Sequence, residues 1–78
     1  MAEMKDLLAY MAQNLVENPD AVSVTETVGE ETLLELHVAP DDMGKVIGRQ
    51  GRIARDLRTV LKAAAQRRGE KVTMDIVD

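Results

Sequence analysis

The pattern of apolar and polar residues along this 78-residue chain predicts helices and strands in alternation with turns. Residues 3–17 read as a helix, because apolar side chains recur there at the spacing of one helix face: Met4, Leu7, Leu8, Met11 and Leu15. Pro19 is expected to end this helix, since the residue before a proline avoids the helical conformation. Residues 21–28 and 32–39 alternate like strands with one buried face, and the Gly29-Glu30 turn between them predicts a β-hairpin. Their inward positions are Val22, Val24, Val28, Leu34, Leu36 and Val38.

The second half of the chain predicts two further helices and a last strand. Pro40 followed by two aspartates is typical of a helix start, and the glycines in residues 44–48 should keep that helix short. A long helix is predicted from about Gly51 to Arg68, and Gly69 fits the left-handed position beyond its end. Its apolar stripe comprises Ile53, Leu57, Val60, Leu61 and Ala64, and residues 71–76 then alternate with Val72, Met74 and Ile76 inward. The order α-β-β-α-α-β predicts an α+β domain whose helices cover one face of a three-stranded sheet.

The composition narrows the classes of function. The chain has one Tyr and no Phe or Trp, which excludes recognition modules that stack bases on aromatic rings. The absence of Cys excludes disulfides and thiolate metal sites. No apolar run approaches the ~18 residues of a membrane span, so we expect a cytoplasmic protein without a membrane partner.

The charges are distributed unevenly. A formal net charge of −4 argues at first against a nucleic-acid partner. However, residues 44–71 hold nine of the 10 basic residues and only two of the 14 acidic ones. Two interpretations fit this segment: a solvated basic helix face, or a local anion site on an otherwise repelling surface.

Catalysis and metal binding find little support in the sequence. His37 is the only histidine, it falls on the outward side of a predicted strand, and no nucleophile accompanies it. Asp41 and Asp42 are interpreted as a helix cap. We therefore predict neither an enzyme nor a metal or cofactor site.

The most informative segment is the run GKVIGRQGRI at residues 44–53. Glycines let the backbone turn tightly and approach a phosphate, and the following helix directs its first N–H groups and its dipole at the same anion. A bare G-x-x-G is a weak signal by itself. The P-loop motif and the dinucleotide fingerprint are both missing.

This segment, together with the order of elements, resembles a type II KH domain. The I-G-x-x-G loop corresponds to Ile47–Gly51. The longer run from Val46 to Ala54, followed by LRTV at 57–60 and AAA at 63–65, resembles the small bacterial KhpA (YlqC-like) proteins. The resemblance covers essentially the whole chain and implies a single KH domain over residues 1–78.

The resemblance implies binding of single-stranded RNA, with about four nucleotides in an apolar groove beside the loop. Carried over position by position, the RNA backbone would meet Gly48, Arg49, Gln50 and Gly51. The groove would be lined or supported by Val46, Ile47 and Ile53 or Ala54, with part of the second strand near Leu36. The electrostatic rim would be Lys45, Arg52 and Arg55. Ala54 stands where the family often has a large aliphatic residue, so the groove wall departs from the usual pattern.

The resemblance also implies partners and a cellular role. It suggests a homodimer, whose interface would involve the first helix or the far end of the long one, and a complex with a KhpB/Jag-type KH protein. The role implied is that of an RNA chaperone or post-transcriptional regulator linked to cell envelope growth. The alternative is a protein–protein dimerisation module for which RNA contact is incidental.

Overall fold

The computed structural model describes residues 3–77, and its elements follow the predicted order. The helices are α1 (Glu3–Gln13), α2 (Met43–Ile47) and α3 (Arg52–Arg67), and the strands are β1 (Ser23–Thr27), β2 (Thr32–His37) and β3 (Val72–Val77). Short 3₁₀ turns precede β1, α2 and α3, at Pro19–Ala21, Pro40–Asp42 and Arg49–Gly51. The predicted α+β class is confirmed.

The sheet is mixed, with β2 in the centre. β2 pairs antiparallel with β1, which confirms the hairpin, and parallel with β3. The register places Val24 beside Leu36 and Leu34 beside Met74, and all four side chains are buried on the face that α1 and α3 cover. The strand alternation in the sequence therefore identified the covered face correctly.

Helix α1 ends four residues earlier than predicted. The side chain of Asn14 donates a hydrogen bond to the carbonyl oxygen of Tyr10 at 2.8 Å, and the Leu15 N–H turns back to the Ala12 oxygen at 3.0 Å. Asparagine competes in this way with the helical backbone, so the helix stops well before Pro19. The prediction that Leu15 belongs to the core stripe is wrong, since it is 38% exposed, whereas the unpredicted Ala12 is fully buried.

Two valines assigned to the inward face are also placed differently. On α3 the buried stripe is Ala54, Leu57, Leu61 and Ala65, and Val60 is 44% exposed. Val60 directly precedes Leu61 and is therefore rotated by about 100° from it around the helix. Val28 lies beyond the end of β1 and is 75% exposed. The fully buried stripe thus includes Ala54 and Ala65, whereas the neighbouring Ile53 and Ala64, which the pattern placed in the stripe, are only partly buried.

Asp42 is a buried tether and not the helix cap that the sequence suggested. Its side chain makes no capping bond to α2. Instead, the carboxylate accepts hydrogen bonds from the backbone N–H of Glu17 (3.2 Å) and from the backbone and side-chain N–H groups of Asn18 (both 3.0 Å). Burial by itself would raise the pKa of Asp42, but these hydrogen bonds and the nearby Lys45 cation outweigh it, so the pKa lies below its ordinary value. Asp42 thereby joins the segment after α1 to the start of α2.

The end of α3 agrees with the sequence. Gly69 has φ 68°, the Glu70 N–H bonds to the Ala65 oxygen at 2.9 Å, and the Gly69 N–H bonds to the Gln66 oxygen at 3.1 Å. This is a Schellman motif, which turns the chain directly into β3.

Candidate nucleic-acid interface

The loop between α2 and α3 has an unusual backbone. Gly48 has φ 76° and ψ 173°, a region that is essentially reserved for glycine. Gln50 has φ 58° and Gly51 has φ 72°, both left-handed, although Gln50 carries a side chain. The Gly51 N–H closes the turn on the Gly48 oxygen at 3.1 Å. A non-glycine residue held at positive φ in an exposed loop is typical of a functional site.

The two glycines of the loop fulfil different requirements. A Cβ atom on Gly48 would lie 2.6 Å from Cγ1 and 2.9 Å from Cβ of Ile53, so the Ile53 side chain packs directly on the Gly48 backbone. A Cβ atom on Gly51 would meet nothing within 4 Å. Gly48 is therefore required for close packing as well as for its backbone angles, whereas Gly51 is required for its angles alone.

The start of α3 offers fewer unpaired amides than the sequence suggested. The Gly51 and Arg52 N–H groups already bond to the oxygens of Gly48 and Arg49 within the 3₁₀ turn. These two amides are not available to an anion, so contact with a phosphate would rely more on the side chains of the loop.

Those side chains are accessible. Arg49, Gln50, Arg52 and Arg55 are all exposed. Lys45 is exposed too, and its Nζ lies 3.9 Å from a Glu17 carboxylate oxygen. An exposed pair at that distance contributes little stability, so Lys45 stays available for other anions. The loop and the first turn of α3 thus form a basic rim.

The apolar residues predicted to line the groove divide into two groups. Ile47 and Ile53 reach the surface beside the loop. Val46 and Leu36 are fully buried and Ala54 nearly so. These three side chains can only support the groove from beneath, and Leu36 lies in the central strand, away from the edge of the sheet.

The strand that borders α3 is β3, at the edge of the sheet. Between them lies a cleft of about 200 Å³, lined by Arg58, Leu61, Lys62 and the β3 residues Val72 to Asp75. The Arg58 Nε donates a hydrogen bond to the carbonyl oxygen of Met74 at 3.0 Å. Sequence reasoning missed Arg58 as a site residue, although it shares one helix flank with Arg55 and Lys62.

The opposite flank of α3 faces α1 and is apolar. Tyr10, 66% exposed, Leu15 and Val60 surround a groove of about 430 Å³ between the two helices. The single aromatic residue of the chain therefore lies on the surface, in a groove that Ile53 also lines.

Other chemistry is sparse in the part of the chain that the structure describes. His37 lies on the uncovered face of the sheet, in register with Ser23 and Val77. Among residues 3–77, no three or more His, Asp or Glu side chains are grouped so that they could hold a metal ion. None of the helices in that range is both long and apolar enough to cross a membrane.

Comparison with known proteins agrees with this architecture. A family model described as KhpA/KhpB, KH domain, matches residues 5–76. An RNA-binding protein KhpA from Clostridium acetobutylicum is 55% identical over 75 residues, which cover 95% of this chain and 100% of that relative. RNA-binding protein KhpA from Aquifex aeolicus is 48% identical, with 100% of both chains covered. RNA-binding protein KhpA from Treponema pallidum is 47% identical, with 95% of this chain and 94% of the relative covered. The chain therefore belongs to the KhpA/KhpB family of KH domains.

Proposed function

We propose that this chain acts as a non-catalytic protein that binds single-stranded RNA, with the loop of residues 48–51 against the sugar–phosphate backbone. The observation that carries the proposal is the loop itself, which holds Gln50 at positive φ and exposes Arg49 and Gln50 beside a basic rim. The relatives named RNA-binding proteins, at 47–55% identity, support the same conclusion.

The geometry suggests how the strand would lie. Arg49 and Gln50 would meet the phosphates, and Lys45, Arg52 and Arg55 would attract them at longer range. Ile47 and Ile53 would contact the bases nearest the loop. The bases further along would enter the cleft between α3 and β3. We thus replace β2 with β3 as the strand that borders the groove.

A single small groove binds few nucleotides, so self-association would raise the apparent affinity by pairing two grooves. We propose that two copies pair through the exposed apolar flank of α3. Asp56 and Arg67 lie toward the two ends of this flank, with Val60 and Ala63 between them. If two α3 helices pack antiparallel about an axis between Val60 and Ala63, each Asp56 faces the Arg67 of the other copy. This arrangement is self-complementary in charge.

The pairing is testable by light scattering after size exclusion. Val60→Asp and Asp56→Arg should each shift the protein toward the monomer, and the swap Asp56→Arg with Arg67→Asp should restore the dimer. A dimer that survives Val60→Asp would place the interface elsewhere.

A KhpB/Jag-type KH protein would be a second candidate for the same flank. We propose the role of RNA chaperone or post-transcriptional regulator, in the cytoplasm and linked to envelope growth, only as an extension of RNA binding.

Fluorescence anisotropy with short single-stranded RNA tests the RNA proposal. The variant Arg49→Asp/Gln50→Asp places two anions in the loop and keeps both glycines. The matched control Lys5→Asp/Thr25→Asp makes the same change of charge on α1 and on β1, which lies at the opposite edge of the sheet from the cleft. We expect the loop variant to lose binding with an unchanged circular dichroism spectrum, while the control retains most of it.

Two results would contradict the assignment. If both variants weaken binding equally, total charge and not the loop governs the affinity. If the wild-type protein binds no RNA but remains a dimer, the dimerisation module is the better description.

A further inference from the structure

Arg58 lies in a cleft that suits one planar ring. The cleft measures about 200 Å³, and its floor includes the buried side chains of Leu61 and Val72. Pockets for drug-sized molecules measure roughly 300–1,000 Å³, so this one accommodates a smaller group. A nucleobase suits this cleft better than a phosphate does, because the aliphatic stems of the exposed residues Arg58 and Lys62 border it and the face of a base can lie against them.

The register of the sheet determines which backbone groups border the cleft. The Thr32 N–H bonds to the Lys71 oxygen at 2.9 Å, so odd-numbered residues of β3 direct their backbone groups at β2. In a parallel ladder the alternate residues direct theirs away from the partner strand. Met74 therefore presents its backbone to the open edge of the sheet, beside α3.

The bond from Arg58 to Met74 fixes the guanidinium at this edge. The Nε donates to the Met74 oxygen at 3.0 Å, which satisfies a partly buried carbonyl and holds the arginine against the strand. Within residues 3–77 neither terminal nitrogen, Nη1 or Nη2, has a hydrogen-bond or ion-pair partner. The side chain thus presents a planar pair of donors whose position is already set, which reduces the entropy lost on binding.

This donor pair selects among the bases. It requires two adjacent acceptors, and the O6 and N7 atoms of guanine are the pair that arginine contacts most often. The corresponding edge of adenine presents one acceptor and one donor, which would oppose the N–H groups of Arg58. Lys62, on the same helix flank, is a flexible point charge that does not impose this geometry.

We propose that Arg58 is a specificity-determining residue that binds the O6/N7 edge of a guanine held in the cleft between α3 and β3. The inference rests on the proposed binding of single-stranded RNA and adds a base preference to it. Because the bond to Met74 holds the guanidinium in place, Arg58 can distinguish one base from another and does not act only as a positive charge.

Modified bases test this inference on the unaltered protein. We would measure the affinity for a uridine octamer with one central guanosine and for octamers with inosine, 7-deazaguanosine, adenosine or cytidine in its place. Inosine keeps O6 and N7 and should bind like guanosine. Adenosine and cytidine should bind roughly 5- to 150-fold more weakly, which is the value of one bidentate contact. 7-Deazaguanosine keeps O6 and lacks only N7, so its affinity should lie between that of guanosine and those of these two bases.

Two variants then assign the preference to Arg58. Arg58→Lys keeps the charge but removes the donor pair, so it should abolish the difference between guanosine and adenosine. Arg55→Lys is the matched control on the same helix, without a bond to β3, and should preserve the ratio of the two affinities even if both fall. Circular dichroism and urea unfolding verify that each variant is folded.

The possible results distinguish failure of the proposed role of Arg58 from failure of the proposed RNA binding. Binding to all octamers without a guanosine preference would refute the role of Arg58 and leave the proposed function intact. A preference for cytidine, or a guanosine preference that persists in Arg58→Lys, would also refute it. Absence of binding to every octamer would refute the proposed function and this inference with it.

Discussion

Replacing each glycine of the loop with alanine separates packing from backbone strain. Both positions have positive φ, but only the Gly48 substitution brings a methyl group within 2.6 Å of a neighbour, namely Cγ1 of Ile53. Gly51→Ala meets open space, so its cost is that of a left-handed alanine, about 1–2 kcal/mol. The less flexible unfolded chain of the alanine variant offsets about 0.4–1 kcal/mol of this.

The Gly48 substitution should cost considerably more. Its φ 76° and ψ 173° lie in a glycine-only region, for which a side chain costs up to about 3 kcal/mol. Displacing Ile53 adds about 1–3 kcal/mol, as overpacking generally does. We therefore expect Gly48→Ala to lower the free energy of unfolding by about 3–5 kcal/mol and Gly51→Ala by about 1 kcal/mol. A domain of this size is stabilised by roughly 4–12 kcal/mol in total, so the first change is severe.

Urea unfolding followed by circular dichroism at 222 nm measures both losses. The single variant Ile53→Ala and the double variant Gly48→Ala/Ile53→Ala complete a double-mutant cycle. The Ile53→Ala change removes Cγ1 of residue 53 and with it the shortest contact to the methyl group of Gly48→Ala. The Gly48→Ala loss should be smaller in the Ile53→Ala background than in the wild type. Equal losses for the two glycine variants, or strict additivity with Ile53→Ala, would refute the claim that Ile53 packs on the Gly48 backbone.

Three further predictions follow from other parts of the molecule. Leu61→Ala should lower the free energy of unfolding by about 2–5 kcal/mol, and Val60→Ala by less than about 1 kcal/mol, in urea titrations of the monomer. Equal losses for the two variants would contradict the assignment of Leu61 to the buried face of α3 and of Val60 to its exposed face. The lowered pKa of Asp42 means that its stabilising contribution is present above the ordinary value of 3.8 and is lost as the pH falls through the lower folded value. The difference in urea midpoint between wild type and Asp42→Asn should therefore shrink at acid pH, and a difference that grows there would contradict the assigned hydrogen bonds. RNA affinity should fall with salt at a slope of about −0.7 per phosphate contacted, and the Arg52→Gln variant should show a shallower slope.

The strands and the face that each one buries were predictable because alternation is a local property. Val24, Leu34, Leu36, Val72 and Met74 all occupy the covered face as the sequence indicated. The edges of the buried faces of the helices were less well predicted, since a shift of one residue along a helix rotates the side chain by about 100°. Val60 was placed in the core for this reason, while Ala12 was passed over because a small side chain contributes little to an apolar pattern.

Features that join distant parts of the chain were not accessible from the sequence. Asp42 bonds to Glu17 and Asn18, which lie 25 and 24 residues away, and local context suggested only a helix cap. The candidate site divides in the same way. The loop at residues 48–51 was recognisable from its glycines, whereas the bond between Arg58 and Met74 depends on the parallel pairing of β2 with β3. That pairing is a property of the whole sheet.

Helix α3 contributes to both proposed activities, RNA binding and pairing of two copies, through different flanks. Its core residues, centred on Leu61, face the sheet, and Arg55, Arg58 and Lys62 lie on the flank toward β3. Val60 lies on the flank toward α1, and Ile53 lies at the loop end of that flank, where it packs on Gly48. A partner centred between Val60 and Ala63 leaves the cleft of the first flank open, so pairing need not compete with the binding of bases in that cleft. The acidic remainder of the surface would repel RNA elsewhere and so confine the strand to the basic flank, despite the net charge of −4.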